Sequence, residues 1–146
     1  MELNGKRCGV EPFSITQARV KINFDANIIV NILQEELSRL LRKKRGLVEL
    51  ASPNKGQYDM RICGRFTQID EGSRILRYLL TFFAGKTIVE VEGSFFIGDT
   101  HKEDLYAISK QAIGLFGGNS QSLLMASTRI IARKLSKQIL KALKEQ

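Results

Sequence analysis

Apolar residues recur along this chain with two different periods, and the switches between them mark out its elements. Between residues 58 and 67 the period is two. Tyr58, Met60, Ile62, Gly64 and Phe66 fall on one side, with Asp59, Arg61, Cys63, Arg65 and Thr67 on the other, as in a half-buried strand. The same period returns in "KTIVEVEGSFFIG", which predicts Val89, Val91, Phe95 and Ile97 inward against Glu90, Glu92 and Ser94. "GDTHKED" then predicts a hairpin turn, and residues 105–113 a partner strand. Elsewhere the spacing is three and four. Ile29, Leu33, Leu37, Leu40 and Leu41 predict a helix of about eighteen residues, capped by Asp25 or Asn27 and ended by the cations and glycine of "RKKRG". Leu124, Ile131, Leu135, Ile139 and Leu143 predict a second, of about twenty-five residues, from a cap at Asn119 or Ser120 to the chain's end.

"GKRCGVEPFSI" reads as an opening strand and "LVELA" as a short one before the turn cluster "SPNKG". The order β-α-β-β-(apolar segment)-β-β-α predicts an α/β protein of the α+β kind. It has a mixed, largely antiparallel sheet of about five strands with two long helices. Residues 1–146 read as a single domain, without internal repeat or linker.

One stretch fits neither period, the "GRFTQIDEGSRILRYLLTFFAGK" of residues 64–86. A polar turn at 70–73 gives way to an apolar run over 79–84 that stops at Gly85. The run is too short to span a bilayer as a helix, although its length suits one membrane strand or an interfacial segment. Packed on the sheet as a helix, it would bury Leu76, Leu79, Leu80 and Phe83. Exposed, it would form an apolar patch rimmed by arginine, the composition of an interface. Arg74, Arg77, Tyr78, Leu79, Phe82, Phe83, Gly85 and Lys86 are therefore the candidate interaction surface, and both readings stand.

Composition changes this picture only in its charge. With 43% hydrophobic and 26% charged residues the chain is ordinary for a globular protein, but its net charge of +8 favours anionic partners. Much of that charge lies in the second helix, where Arg129, Arg133, Lys137 and Lys141 recur every fourth residue. From residue 119 onward there are six Lys/Arg and one acid, Glu145. This candidate anion-binding stripe could follow a phosphate backbone or lie on an anionic membrane surface. No aromatic residue interleaves it for base stacking, so nucleic acid ranks behind.

Catalytic chemistry is not indicated. "AGKT" at residues 84–87 ends like a phosphate loop, but Leu80 stands where the loop needs glycine, and a strand pattern follows in place of a helix. His101 is the single histidine and has no setting that would make it a base. Asp70-Glu71 and Glu103-Asp104 lie in hydrophilic turns, and Glu90 and Glu92 share a strand's outer face. Two cysteines cannot complete a four-ligand zinc site. The expectation is a non-enzyme with no catalytic residue, metal, cofactor or small-molecule substrate. Cys8 and Cys63 read as buried thiols; a disulfide would need their strands to be neighbours in an oxidising compartment. No export signal and no apolar run long enough to span a membrane is visible. The expected location is cytoplasmic if Met1 is the native start, and the periplasm or the inner face of the outer membrane if the chain is a fragment of an exported lipoprotein.

Gly64, Arg65, Phe66, Gly72, Ser73, Arg74, Arg77, Tyr78, Ala84, Gly85 and Lys86 form a connected pattern. A strand ends Gly-Arg-Phe; an Asp-x-Gly-Ser-Arg turn, an Arg-Tyr pair and an apolar segment ending Ala-Gly-Lys follow, and then an alternating strand. This centre resembles the bacterial domain-of-unknown-function family 4410, whose members are mostly predicted lipoproteins. "VEPF" near the start and the helix after "GG" fit as well, while Leu80 and Phe82 stand where members carry further glycines. More distantly, the layout resembles the amino-terminal domain of the Tol translocation protein and the periplasmic domain of the curli secretion channel. The resemblance implies a cell-envelope binding or assembly domain with a protein partner or self-association. The alternative is a cytoplasmic polyanion or nucleic-acid binding domain that uses the basic helix.

Overall fold

The computed structural model describes residues 7–45, 48–49, 59–72, 86–111 and 120–145. In chain order the elements are β1 (Arg7–Val10), β2 (Arg19–Lys21), α1 (Asn27–Arg45), β3 (Val48–Glu49), β4 (Met60–Asp70), β5 (Thr87–Ile97), β6 (Thr100–Gln111) and α2 (Ser120–Lys144). The strands form one sheet in the order β3-β1-β4-β5-β6, with β2 also paired to β4. The long pairings, β4 with β5 and β5 with β6, are antiparallel. β1 and β2 run parallel to β4 one after the other, joined by a bridge from Ser14 to Arg65. This is the mixed, largely antiparallel α+β sheet that the pattern predicts. β2 is the addition: Arg19, Val20 and Lys21 are all exposed, so no alternation announces them.

Both helices cover one face of the sheet. Ile29, Leu33, Leu37, Leu40 and Leu41 of α1 are buried, as are Leu124, Ile131, Leu135, Ile139 and Leu143 of α2. They meet Met60, Ile62, Phe66, Ile69, Val89, Val91, Phe95 and Leu105 from the strands in one core. Asp25 is the cap of α1: its Oδ1 accepts the Asn27 N–H at 2.9 Å, satisfying a donor that the first turn leaves open. Further along α1, Gln34 Nε2 donates to the Val10 carbonyl at 2.8 Å and ties the helix to β1.

Two irregularities set which side chains face inward. Strict alternation along β4 would bury Gln68, but the register shifts between Phe66 and Gln68, and Ile69 is buried instead. Midway along the sheet Gly64 pairs with Gly93. A Cβ at Gly64 would lie 2.5 Å from the Glu92 carbonyl oxygen and 2.6 Å from Phe13 Cε2, so the missing side chain is the space that Phe13 fills. Phe13, 2% exposed, meets Phe66 edge to face at 6.2 Å. The hairpin after β5 is tighter than the sequence predicts: Ile97 pairs with Thr100 directly across Gly98, whose φ of +59° suits glycine, and Asp99.

The outer edge of β6 is fastened by α2. The Tyr106 N–H donates to Gln138 Oε1 at 3.1 Å and Gln138 Nε2 donates to the Tyr106 carbonyl at 2.5 Å. Lys134 Nζ donates to the Ile108 carbonyl at 2.6 Å. The Gln138 amide thus occupies the place of a neighbouring strand's peptide group on an edge that would otherwise invite pairing.

Candidate functional site

Among the described residues no helix covers the other face of the sheet, and register organises its side chains into rows across β4, β5 and β6. Arg65, Glu92 and Tyr106 form one row, Cys63, Ser94 and Asp104 the next, and Arg61, Phe96 and His101 a third. Over the first two rows lies a trough of about 750 Å³ whose lining includes Ser14, Cys63, Arg65, Glu92, Ser94, Asp104 and Tyr106.

The first and third rows are held by polar contacts. Arg65 Nε donates to Glu92 Oε1 at 2.6 Å, and Arg65 Nη1 donates to Gln17 Oε1 at 2.6 Å. Arg61 lies 4.4 Å above the centre of the Phe96 ring and 3.4 Å from Glu11 Oε1. His101 Nε2 lies 2.9 Å from Asp104 Oδ1, with the His101 ring edge-on to Phe96. Beside the first row, Thr67 Oγ1 donates to Glu90 Oε1 and the Tyr106 hydroxyl to Glu90 Oε2, each at 2.5 Å. These two bonds, that from Thr67 first, hold the Glu90 carboxyl below its ordinary range. The carboxylate in turn holds the Tyr106 phenol above its ordinary value. Burial pushes the Cys63 thiol up as well.

β1 and β4 are neighbours, yet Cys8 and Cys63 are not disulfide-bonded. Cys8 stands opposite Met60 and is buried, whereas Cys63 belongs to the open face. Of the candidate interaction surface only Lys86 is among the described residues, and it is exposed just before β5. Arg74, Arg77, Tyr78, Leu79, Phe82, Phe83 and Gly85 lie outside them. Arg129, Arg133, Lys137 and Lys141 are all exposed along α2, on the side turned away from the core. Sequence reasoning missed the trough, which takes residues from three strands. Its one legible signal was a glycine in the middle of each of two strand patterns, a mark of close backbone approach. Among the described residues no three His, Cys, Asp or Glu are grouped as metal ligands would be, and no helix is long and apolar enough to cross a membrane.

A two-layer α+β domain with one covered and one open sheet face is the class that this architecture defines. The chain belongs to the family described as Domain of unknown function (DUF4410), whose model matches residues 16–126. Among solved structures, protein XCC0632 from Xanthomonas campestris, of the family DUF330, superimposes with a TM-score of 0.66 at 6% identity, over 99% of this chain and 88% of that one. A PelC dodecamer from Paraburkholderia phytofirmans gives 0.57 at 14% identity, over 90% and 87%. The hypothetical protein CT253 from Chlamydia trachomatis gives 0.51 at 12% identity, over 96% of each chain. At such identities these structures share the fold and establish nothing further. No curated protein matches the chain.

Proposed function

We propose that this chain is a non-enzymatic binding or assembly domain of the bacterial cell envelope, and that Arg74, Arg77, Tyr78, Leu79, Phe82, Phe83, Gly85 and Lys86 form its interaction surface. One observation carries the reading. Asp70 at the end of β4 pairs with Ile88 at the start of β5, so a hairpin loop of two to five residues would close the pair. The chain places residues 71–86 there instead, and connections longer than closure requires are where binding residues concentrate. The family model spans the whole insertion. The lipoprotein character that the resemblance implies supports the envelope location, and the dodecameric PelC structure makes self-association a reasonable form of assembly.

The test joins location to surface. Fractionation of the native host with intact-mass measurement should recover a membrane-fraction species that carries lipid; a soluble species that begins at Met1 would overturn the envelope reading. Leu79→Asp with Phe83→Asp should keep the circular dichroism melt of the parent while abolishing partner capture. If the double variant unfolds, the segment is core and the surface is lost. A second reading, a polyanion or nucleic-acid binder using Arg129, Arg133, Lys137 and Lys141, is favoured by the exposure of all four, and it requires an affinity that falls steeply with salt.

A further inference from the structure

The charge of the chain is divided unevenly between its two layers. α2 carries six Lys/Arg and no acid, and α1 five Lys/Arg and two Glu, so the helices together hold +9. The whole chain is +8, which leaves the strands and connections at −1. The excess therefore lies in the helix layer. Along the outward side of α2, Arg129, Arg133, Lys137 and Lys141 are all exposed and extend over about 18 Å at the helical rise. The neighbouring carboxylates leave most of this stripe uncancelled. Glu36 of α1 is near Arg129 and Arg133 but is bound to Arg39 at 2.6 Å. Glu35, the other acid of α1, is exposed and in no described ion pair with α2. Glu103 and Glu145 line a small cavity together with Lys141, so the stripe is balanced only at that end. Arg129, Arg133 and Lys137 have no carboxylate partner among the described residues.

The shape of this layer selects among anionic partners. α1 and α2 lie against each other on one sheet face, so neither stands clear of its neighbour as a helix that enters a nucleic-acid groove must. α2 holds no aromatic residue for stacking on bases. The apolar sides of both helices are consumed by the core, so the surface offers charge and little to insert. We propose that the helix layer docks on an anionic phospholipid surface, with Arg129, Arg133 and Lys137 at the headgroup phosphates. The proposal rests on the envelope reading above and adds which side of the domain meets the membrane. The open sheet face then looks away from the bilayer, with its trough accessible from the aqueous phase.

Cosedimentation of the full chain with vesicles tests this. The chain should bind mixed phosphatidylglycerol and phosphatidylcholine vesicles at low salt, leave them as salt rises, and ignore vesicles of phosphatidylcholine alone. At about 0.1 M salt, where the screening length is about 10 Å, Arg133→Gln with Lys137→Gln should weaken binding by about tenfold or more. Arg19→Gln with Lys21→Gln removes the same charge from β2, in the sheet layer, and should weaken binding by no more than about threefold. All four positions are exposed, so both variants should melt as the parent does. A parent that ignores the anionic vesicles at low salt overturns the proposal. Equal weakening by the two variants reduces the effect to net charge and overturns the helix face as its seat. Tighter binding to a duplex oligonucleotide than to the vesicles, through Arg133 and Lys137, overturns it in favour of nucleic acid. Because the assay holds only lipid, salt and this chain, apart from the oligonucleotide comparison, each of these failures leaves the host fractionation and the partner capture to be judged on their own results.

Discussion

Glu90 shows how much one residue's behaviour depends on neighbours that the sequence separates widely. Its carboxylate accepts hydrogen bonds from Thr67 on β4 and Tyr106 on β6, and both favour the charged form. A carboxyl whose folded value is depressed contributes stability that is present above its unfolded value and lost as pH falls through the folded one. The paired Tyr106 phenol, raised in the fold, contributes in the other direction: its share is present below the ordinary tyrosine value and lost as pH rises through the folded one. Thr67→Ala should therefore move the Glu90 titration, followed by carboxyl-carbon NMR, back toward the ordinary carboxylate range. Glu90→Gln should lower the Tyr106 titration followed by ultraviolet absorbance. An unmoved Glu90 titration in Thr67→Ala would show that the bond is absent in solution. From the sequence, Glu90 and Glu92 could be read only as a pair of like charges on one strand face. Register divides them, giving Glu92 to Arg65 and Glu90 to two hydroxyls.

At the scale of the element, α2 has two jobs that its sequence makes unequally visible. Its buried stripe was legible because apolar residues at helical spacing have one way to leave water together. Its role as the clasp of β6 was not, because Gln138 and Lys134 look like ordinary solvated positions until the edge strand is placed beside them. Gln138→Leu removes both bonds to the Tyr106 peptide group. We expect faster amide hydrogen exchange at Tyr106, with a loss of about 1–3 kcal/mol as two bonds of about 0.5–1.5 kcal/mol each disappear. Unchanged exchange would mean that the edge is protected by something other than the clasp. The β4 bulge teaches the same lesson in reverse. Phe66 and Ile69, two apolar residues separated by two polar ones, broke the period of two in plain view, and only the pairing with Val91 and Val89 shows that both point into the core.

For the whole molecule, Cys8 and Cys63 form a pair of internal reporters. Cys8 is 3% exposed in the core, whereas Cys63 is half-buried on the open face with its thiol pushed up by desolvation. A thiol-specific reagent at neutral pH should modify Cys63 slowly in the folded protein and Cys8 only as the molecule opens globally. The Cys8 rate should rise with denaturant in step with loss of the dichroism signal. Equal native-state rates would contradict the placement of β1 under α1. This assignment was half legible: both residues read as thiols in strands, but only the pairing of Cys8 with Met60 shows that they face opposite ways.

What the sequence determined by itself was whatever depends on short-range periodicity: both helices and their inward stripes, the three long strands, the α+β class and the exposed cationic stripe. A residue's neighbours within one turn or one pleat are set by local geometry, so their pattern survives in the linear order. What only the tertiary structure decided was everything made between strands. β2 has no buried side and hence no pattern, so it exists only because β4 offers it an edge. The trough depends on register, in which a slip of one residue would exchange its lining for the core. The close approach of Gly64 to Gly93, which admits Phe13, likewise required two distant strands to meet.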